Sequence, residues 1–143
     1  MKIKINKTIQ FIHPDFDHLD YGNGIQTQPN GKISMVSDGE SIRQSILILI
    51  STIPGERVMR PKYGCNLHQL AFMPNDATTH GLAIHYVKTA IEQWEPRIDI
   101  IYLDADINVD NPCVIDITLQ YLIQHLHHND QLTLSYQLMG AEN

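Results

Sequence analysis

The run Ser41-Ile-Arg-Gln-Ser-Ile-Leu-Ile-Leu-Ile-Ser-Thr-Ile-Pro-Gly-Glu-Arg-Val-Met-Arg-Pro-Lys-Tyr-Gly64 decides the fold. Its first half is periodic: Ile42, Ile46, Leu49, Ile50 and Ile53 recur at helical spacing, so one stripe faces a core while Arg43, Gln44 and Ser51 face water. Its second half is punctuated. Pro54 pushes Ile53 out of the α region and Gly55 follows at once, so the chain must turn between Ile53 and Gly55. A doubly basic loop, Glu56 to Gly64, follows the turn.

Upstream, Ser37-Asp38-Gly39-Glu40 has the Ser-x-x-Glu pattern of a capping box and predicts a helix start near Asp38. Between Ile3 and Phe11, Ile3, Ile5, Ile9 and Phe11 alternate with Lys2, Lys4, Thr8 and Gln10, which is strand periodicity with Lys7 as the misfit. Residues 13–31 are rich in Asp, Gly, Pro and Asn. A connection that long is uncommon unless functional or disordered, and it reads as an arm laid on a neighbouring subunit. The expected organisation is thus one domain over 37–143, preceded by a strand and arm over 1–36.

Downstream, Asn66 is placed to cap a short helix carrying Leu67, Leu70 and Ala71, and Asp76 to cap the longest one. In the latter, Ala83, Ile84, Val87, Ala90, Ile91 and Trp94 share a stripe until Glu95-Pro96 ends it. Beyond Arg97 the period becomes two: Ile101, Leu103, Ala105, Ile107 and Val109 face one way. A three-residue turn at Asp110-Asn111-Pro112 pairs Ile107 with Ile115, Ala105 with Ile117, Leu103 with Leu119 and Ile101 with Tyr121. Reading Asn129-Asp130 as a second, two-residue turn pairs Tyr121 with Leu138, His125 with Leu134 and His127 with Leu132. In that register the far half of the second hairpin projects beyond the first strand and offers open edges to a strand from another chain. The fold class is α+β: two longer helices and a short one packed on an antiparallel sheet of about three C-terminal strands, with an extra N-terminal strand.

At 143 residues the chain can bury a core without staples. Its formal charge of -6, from 10 Lys and Arg against 16 Asp and Glu, disfavours nucleic acid as a partner. No apolar run suits a signal or a membrane span. Cys65 and Cys113 stand alone, as expected of apolar fillers in a reducing compartment.

Two motifs carry a family resemblance. Thr52-Ile-Pro-Gly-Glu-Arg-Val-Met-Arg-Pro-Lys-Tyr-Gly64, preceded by Ile42-Arg-Gln-Ser-Ile46 and followed by a short Leu-rich helix, resembles the baseplate wedge family of contractile phage tails. That family includes the corresponding subunits of type VI secretion systems and phage-tail-like injection particles. About thirty residues on, Trp94-Glu95-Pro96-Arg97-Ile98 is similar to the family's Glu-Pro-Arg motif at a helix-to-strand junction. The resemblance covers roughly 31–138. It departs from the family at Lys62, where an acidic residue is common, and in the length of its first thirty residues.

The resemblance implies a structural role in virion or particle assembly. The Glu95-Pro96-Arg97 corner would dock on the core bundle of the wedge, and the sheet would offer its edge to arms of the first sheath ring, initiating the sheath. The partners so implied are the sheath subunit, the core-bundle subunits, and hub or tube-initiator proteins, with no nucleic acid, membrane or cofactor. The protein would be made in the cytoplasm of the producing bacterium and end in the assembled baseplate. Candidate partner-binding residues are Arg57, Arg60 and Tyr63 in the loop, Glu95, Pro96 and Arg97 at the corner, and His125, His127, Leu132 and Leu134 on the projecting hairpin. Arginine and aromatic residues on turns held by helices are frequent interface anchors. The bland alternative is internal pairing of Arg57 or Arg97 with Glu56 or Glu95.

Some members of the family have been described as lysozyme-like, and Glu56 and Glu95 are the carboxylates for such a reaction. It needs two carboxylates across a cleft, one kept protonated by apolar surroundings. Both have arginine neighbours, which favour the ionised form. His125, His127 and His128 have no cysteine near them and Asp130 as the one nearby carboxylate, which is thin company for a metal site.

Overall fold

The computed structural model describes residues 8–9, 11–12, 24–25, 27–33 and 35–138. The chain divides into two compact units, Met1–Ile48 and Leu49–Asn143. In the first, β1 (Thr8–Ile9) pairs antiparallel with β4 (Met35–Val36), and β2 (Phe11–Ile12) with β3 (Gly24–Ile25). Strand pairing thus appears at residues 8–9 and 11, within the stretch where alternation predicts it. The expected strand positions at residues 1–7, and 13–23 of the expected arm, lie outside the described residues.

Helix α1 (Asp38–Ser51) begins where the capping pattern places it, with Ser41 N–H donating to the Ser37 carbonyl at 2.8 Å. The stripe residues Ile42, Ile46, Leu49 and Ile50 are buried, and Leu47 joins them. The division between the two units falls inside this helix.

In the second unit a 3-10 helix (Asn66–Leu70) buries Leu67 and Leu70. Asn66 is its first residue, not its cap: Cys65 occupies the cap position and no side chain caps the turn. Helix α2 (Ala77–Trp94) starts as expected, the Asp76 carboxylate accepting from Thr79 N–H at 2.9 Å. That bond draws the Asp76 carboxyl below its ordinary value. Asn75 ties the helix start to the sheet, its amide donating to the carbonyls of Pro112 at 2.7 Å and Val114 at 3.2 Å. Its Oδ1 accepts from His80 Nε2 at 2.6 Å. Helix α2 packs along β5 and more lightly on β6, with Ala83, Val87, Ala90 and Ile91 buried.

The sheet has the order β5 (Ile98–Ile107), β6 (Val114–Ile123), β7 (His128–Gln137), antiparallel throughout. Ile115, Ile117, Leu119, Tyr121 and Ile123 point inward from β6, with Leu132 and Leu134 beside them on β7. Each fully buried aliphatic side chain of this kind contributes about 2 kcal/mol. The first hairpin keeps the expected register from Ile107–Ile115 to Leu103–Leu119. A bulge then admits Ile101 as an extra residue, so Tyr121 pairs with Ile100 rather than Ile101.

The second hairpin corrects the expectation. Its turn is Gln124–His127, closed between Ile123 and His128, with His127 in the left-handed region at φ 48°. Asn129 and Asp130 lie in β7, and Tyr121 faces Asp130, whose carboxylate accepts from the Tyr121 hydroxyl at 2.9 Å. The strand therefore lies along the whole of β6, and no half of the hairpin projects.

Candidate partner-binding surfaces

The basic loop is a chain of turns closed at its base. Glu56 N–H donates to the Ile53 carbonyl at 3.1 Å across Pro54-Gly55, with Gly55 at φ 100°. Proline followed by a glycine of positive φ is the requirement of a type II turn. Further turns follow as Arg60 N–H reaches the Arg57 carbonyl and Tyr63 N–H the Arg60 carbonyl, the latter with Pro61 as its second residue. At the base, Cys65 N–H donates to the Thr52 carbonyl at 2.9 Å. Gly64, at φ 139°, passes so close that a Cβ there would meet the Thr52 oxygen at 2.5 Å and the Pro54 nitrogen at 2.9 Å. Only glycine permits that approach.

Side chains tie this loop to the corner after α2. The Arg57 guanidinium lies over the Tyr63 ring, 4.5 Å from its centroid, and Tyr63 meets Trp94 edge-on at 5.4 Å. Burial raises the Tyr63 phenol, while nearby Arg57 draws it back. One residue beyond Trp94, Glu95 is 6 % exposed and both its oxygens are held by Arg97, from Nη2 to Oε2 at 2.8 Å and from Nε to Oε1. Such a two-pronged pair fixes the guanidinium plane. The Arg97 side chain remains 45 % exposed, and its carbonyl accepts from Gln124 N–H in the second hairpin turn. Of the pairings anticipated, Arg97 with Glu95 is made. Glu56 instead accepts from Ile53 N–H at 3.1 Å, reinforcing the turn.

The candidate residues thus fall into three groups. Arg57, Arg60 and Tyr63, with Glu95, Pro96 and Arg97, belong to one loop and one corner joined through Trp94. His125 and His127 sit in the tight turn beside Arg97. Leu132 and Leu134 are each 2 % exposed, so they are core residues of this chain rather than a projecting surface. Neither Glu56 nor Glu95 lines the cleft of about 520 Å³ between α2 and β5 or the one of about 350 Å³ beside the basic loop. Among the described residues no group of three or more His, Cys, Asp and Glu side chains is placed to hold a metal, and no helix is long and apolar enough to cross a membrane.

The edges of the sheet differ, and sequence reading missed this. Leu138 N–H donates to the Cys113 carbonyl, which sets the alternation along β7. Leu132, Leu134 and Tyr136 bond toward β6, so the main-chain groups of Thr133, Ser135 and Gln137 point outward, and no described strand pairs with them. The other edge, β5, is interrupted by the Ile101 bulge and carries Asp99, Asp104 and Asp106, and the Asp104 carboxylate takes the outward Ala105 N–H at 2.9 Å. These are the devices that blunt an edge. The second half of β7 has none of them.

A three-stranded sheet with a helix along it, a closed basic loop and a paired Glu-Pro-Arg corner define an α+β domain of a kind found in contractile injection machines. A chain of the anti-feeding prophage baseplate shares the fold with TM-score 0.68 at 18 % identity, over 84 % of this chain and 86 % of that one. A chain of the type VI secretion baseplate complex does so with TM-score 0.57 at 17 % identity, over 69 % and 92 %. The chain belongs to the family described as baseplate wedge protein gp25, whose model matches residues 36–128. It is 30 % identical over 95 residues to the baseplate wedge protein gp25 of Enterobacteria phage T4, a match spanning 66 % of this chain and 65 % of that protein's length. A crystal structure from Geobacter sulfurreducens, named as a candidate tail lysozyme, is similar at 32 % identity and TM-score 0.68, covering 76 % of this chain and all of that one.

Proposed function

We propose that this protein is a structural component of the baseplate wedge of a contractile injection machine and starts the sheath by accepting a strand at the outer edge of β7. The observation that carries the reading is the contrast between the two edges: outward main-chain groups at Thr133, Ser135 and Gln137 against a bulged, acidic β5. Hydrogen bonds along such an edge supply affinity without demanding particular side chains. The strand offered is an arm of a first-ring sheath subunit, and each sheath ring would repeat the contact for the next.

Docking on the wedge core bundle falls to the loop and corner. Arg57, Arg60, Pro96 and Arg97 lie on turns braced by Tyr63, Trp94 and the buried Glu95 carboxylate, which limits the entropy lost on binding. The segment 13–31 is assigned to contact with a neighbouring subunit. The protein is made in the cytoplasm and leaves only within the particle.

The lysozyme name of the Geobacter relative favours a second reading, cell-wall cleavage by Glu56 and Glu95. The geometry disfavours it: both Glu95 oxygens are engaged by a guanidinium, whereas a general acid needs a proton on one of them in apolar surroundings.

The test is electron microscopy of particles from a producer strain lacking the gene, complemented with the native chain or with Thr133→Pro/Ser135→Pro. Those prolines remove two outward N–H groups and leave the ladder to β6 intact. Sheaths restored by the native chain but not by the proline variant are expected. Full-length contractile sheaths in the deletion strain would refute the reading. Turbidity clearing of cell walls by the native protein, abolished by Glu56→Gln/Glu95→Gln, would establish the enzyme instead.

A further inference from the structure

The docking proposed above uses the arginines of the basic loop and leaves Val58 and Met59, at its apex, without a role. Val58 is 93 % exposed and Met59 90 %, two adjacent apolar side chains held in solvent. Single exposed apolar residues are ordinary. These two stand at the tip of a loop whose base is closed by Cys65 and Gly64 and whose side is braced by Arg57 on Tyr63 and Tyr63 on Trp94. Around them are Arg57, Arg60 and Lys62, three positive charges within six residues of a chain whose formal charge is -6. The one acidic residue of the loop, Glu56, is turned to the Ile53 amide at the base. The tip is therefore an exposed apolar pair flanked in sequence by cationic residues, on a loop closed at its base and braced at its side.

We infer that Val58 and Met59 form an insertion knob for an apolar socket rimmed by Asp or Glu on a different protein. The apolar pair would supply the buried centre of such a contact and the rim its charge complementarity, the division usual for protein interfaces. Because turns already fix the loop, little conformational freedom is lost on docking. Methionine adapts to the socket and valine is stiff, a pairing suited to plugging a hole.

Two other occupants fit less well. Two small apolar side chains anchor poorly in a bilayer, and an acidic chain is repelled by anionic lipid. A second copy of this chain offers the cleft between α2 and β5, lined by Glu92 and Asp99 with Lys88, but two copies of a chain of formal charge -6 repel each other. The inference rests on the assembly reading in one respect, that the socket belongs to a protein, and it is independent of strand addition at β7.

The experiment places a photo-crosslinking amino acid at 58 or 59 in the full chain, in intact producing cells, and maps the joined peptides by mass spectrometry. Expected is a cross-link to a peptide of another protein in which apolar residues are flanked by Asp or Glu. Arg60→Glu/Lys62→Glu should reduce its yield at least about tenfold, and Asp or Glu to Lys in the joined peptide should restore it. Both positions are solvent-exposed, so an unchanged thermal midpoint of each variant shows that the fold is intact. Cross-links to lipid, to a second copy of this chain or to nothing overturn the inference, as does a charge reversal without effect. Immunoblotting of purified particles follows incorporation separately: particles that contain the chain but give no cross-link refute the knob alone, while an acidic-rimmed partner found without incorporation refutes the assembly reading alone.

Discussion

Replacing Gly64 and Gly55 one at a time by alanine separates two costs that the loop motif combines. Both glycines have positive φ, 139° and 100°. At Gly55 a Cβ meets nothing within 4 Å, so the penalty is conformational, about 1 kcal/mol. At Gly64 the Cβ would lie 2.5 Å from a main-chain oxygen and 2.9 Å from a main-chain nitrogen, neither of which can swing aside as a side chain would. The backbone must shift, which strains the bond from Cys65 N–H to the Thr52 carbonyl. A conformational penalty of about 2 kcal/mol and a weakened hydrogen bond of about 1 kcal/mol give about 3 kcal/mol for Gly64→Ala. Urea unfolding read by fluorescence measures both, since the chain has a single tryptophan, Trp94, packed edge-on against Tyr63 of the same loop. The expected gap between the variants is about 2 kcal/mol. Equal losses, or a smaller one at Gly64, would refute the close approach of backbone to backbone.

Three further outcomes follow from the second unit. Leu132→Ala should cost about 3 kcal/mol by denaturant unfolding, because the side chain is 2 % exposed; a loss below about 0.5 kcal/mol would return it to the surface. Arg97→Ala leaves the Glu95 carboxylate buried without its guanidinium and should cost about 2 kcal/mol, while adding Glu95→Gln should recover part of the loss; strict additivity of the two changes would contradict coupling. Asp76 is depressed below its ordinary 3.8 chiefly by the Thr79 amide bond. Its stabilising contribution is therefore complete above about pH 4 and lost as pH falls through the lower folded value. Asp76→Asn keeps a cap oxygen and should flatten the acid limb of thermal midpoint against pH; an unchanged limb would count against the cap.

The residues explain what was legible in the sequence. The capping pattern at Ser37 to Glu40 and the cap at Asp76 are local, and both helices begin where they place them. The first hairpin was legible because a three-residue turn and alternating apolar residues specify the same pairing, until the bulge at Ile101 shifts it by one. The second was not. Placing Tyr121 against Leu138 rather than Asp130 displaces the strand by eight residues, an even number, so every side chain keeps its face and alternation cannot tell the two registers apart. Only the turn decides. Gln124-His125-Leu126-His127 lacks glycine or proline, its left-handed position being filled by His127, while Asn129-Asp130 imitates a turn inside a strand. The error turned two core leucines into a projecting surface.

The loop and corner were legible as motifs but not as one assembly. Arg57, Tyr63, Trp94, Glu95 and Arg97 come together only because α2 returns the chain past the loop. Edge character was hidden altogether, since which main-chain groups point outward depends on the register that turn placement sets.

The most direct measurement of the central claim is a cryo-electron microscopy map of the junction between baseplate and first sheath ring, at a resolution that traces main chain. The account predicts an extended segment of a sheath subunit hydrogen-bonded beside Thr133, Ser135 and Gln137. A sheath strand on β5, or a β7 edge facing solvent in the assembled particle, would contradict it.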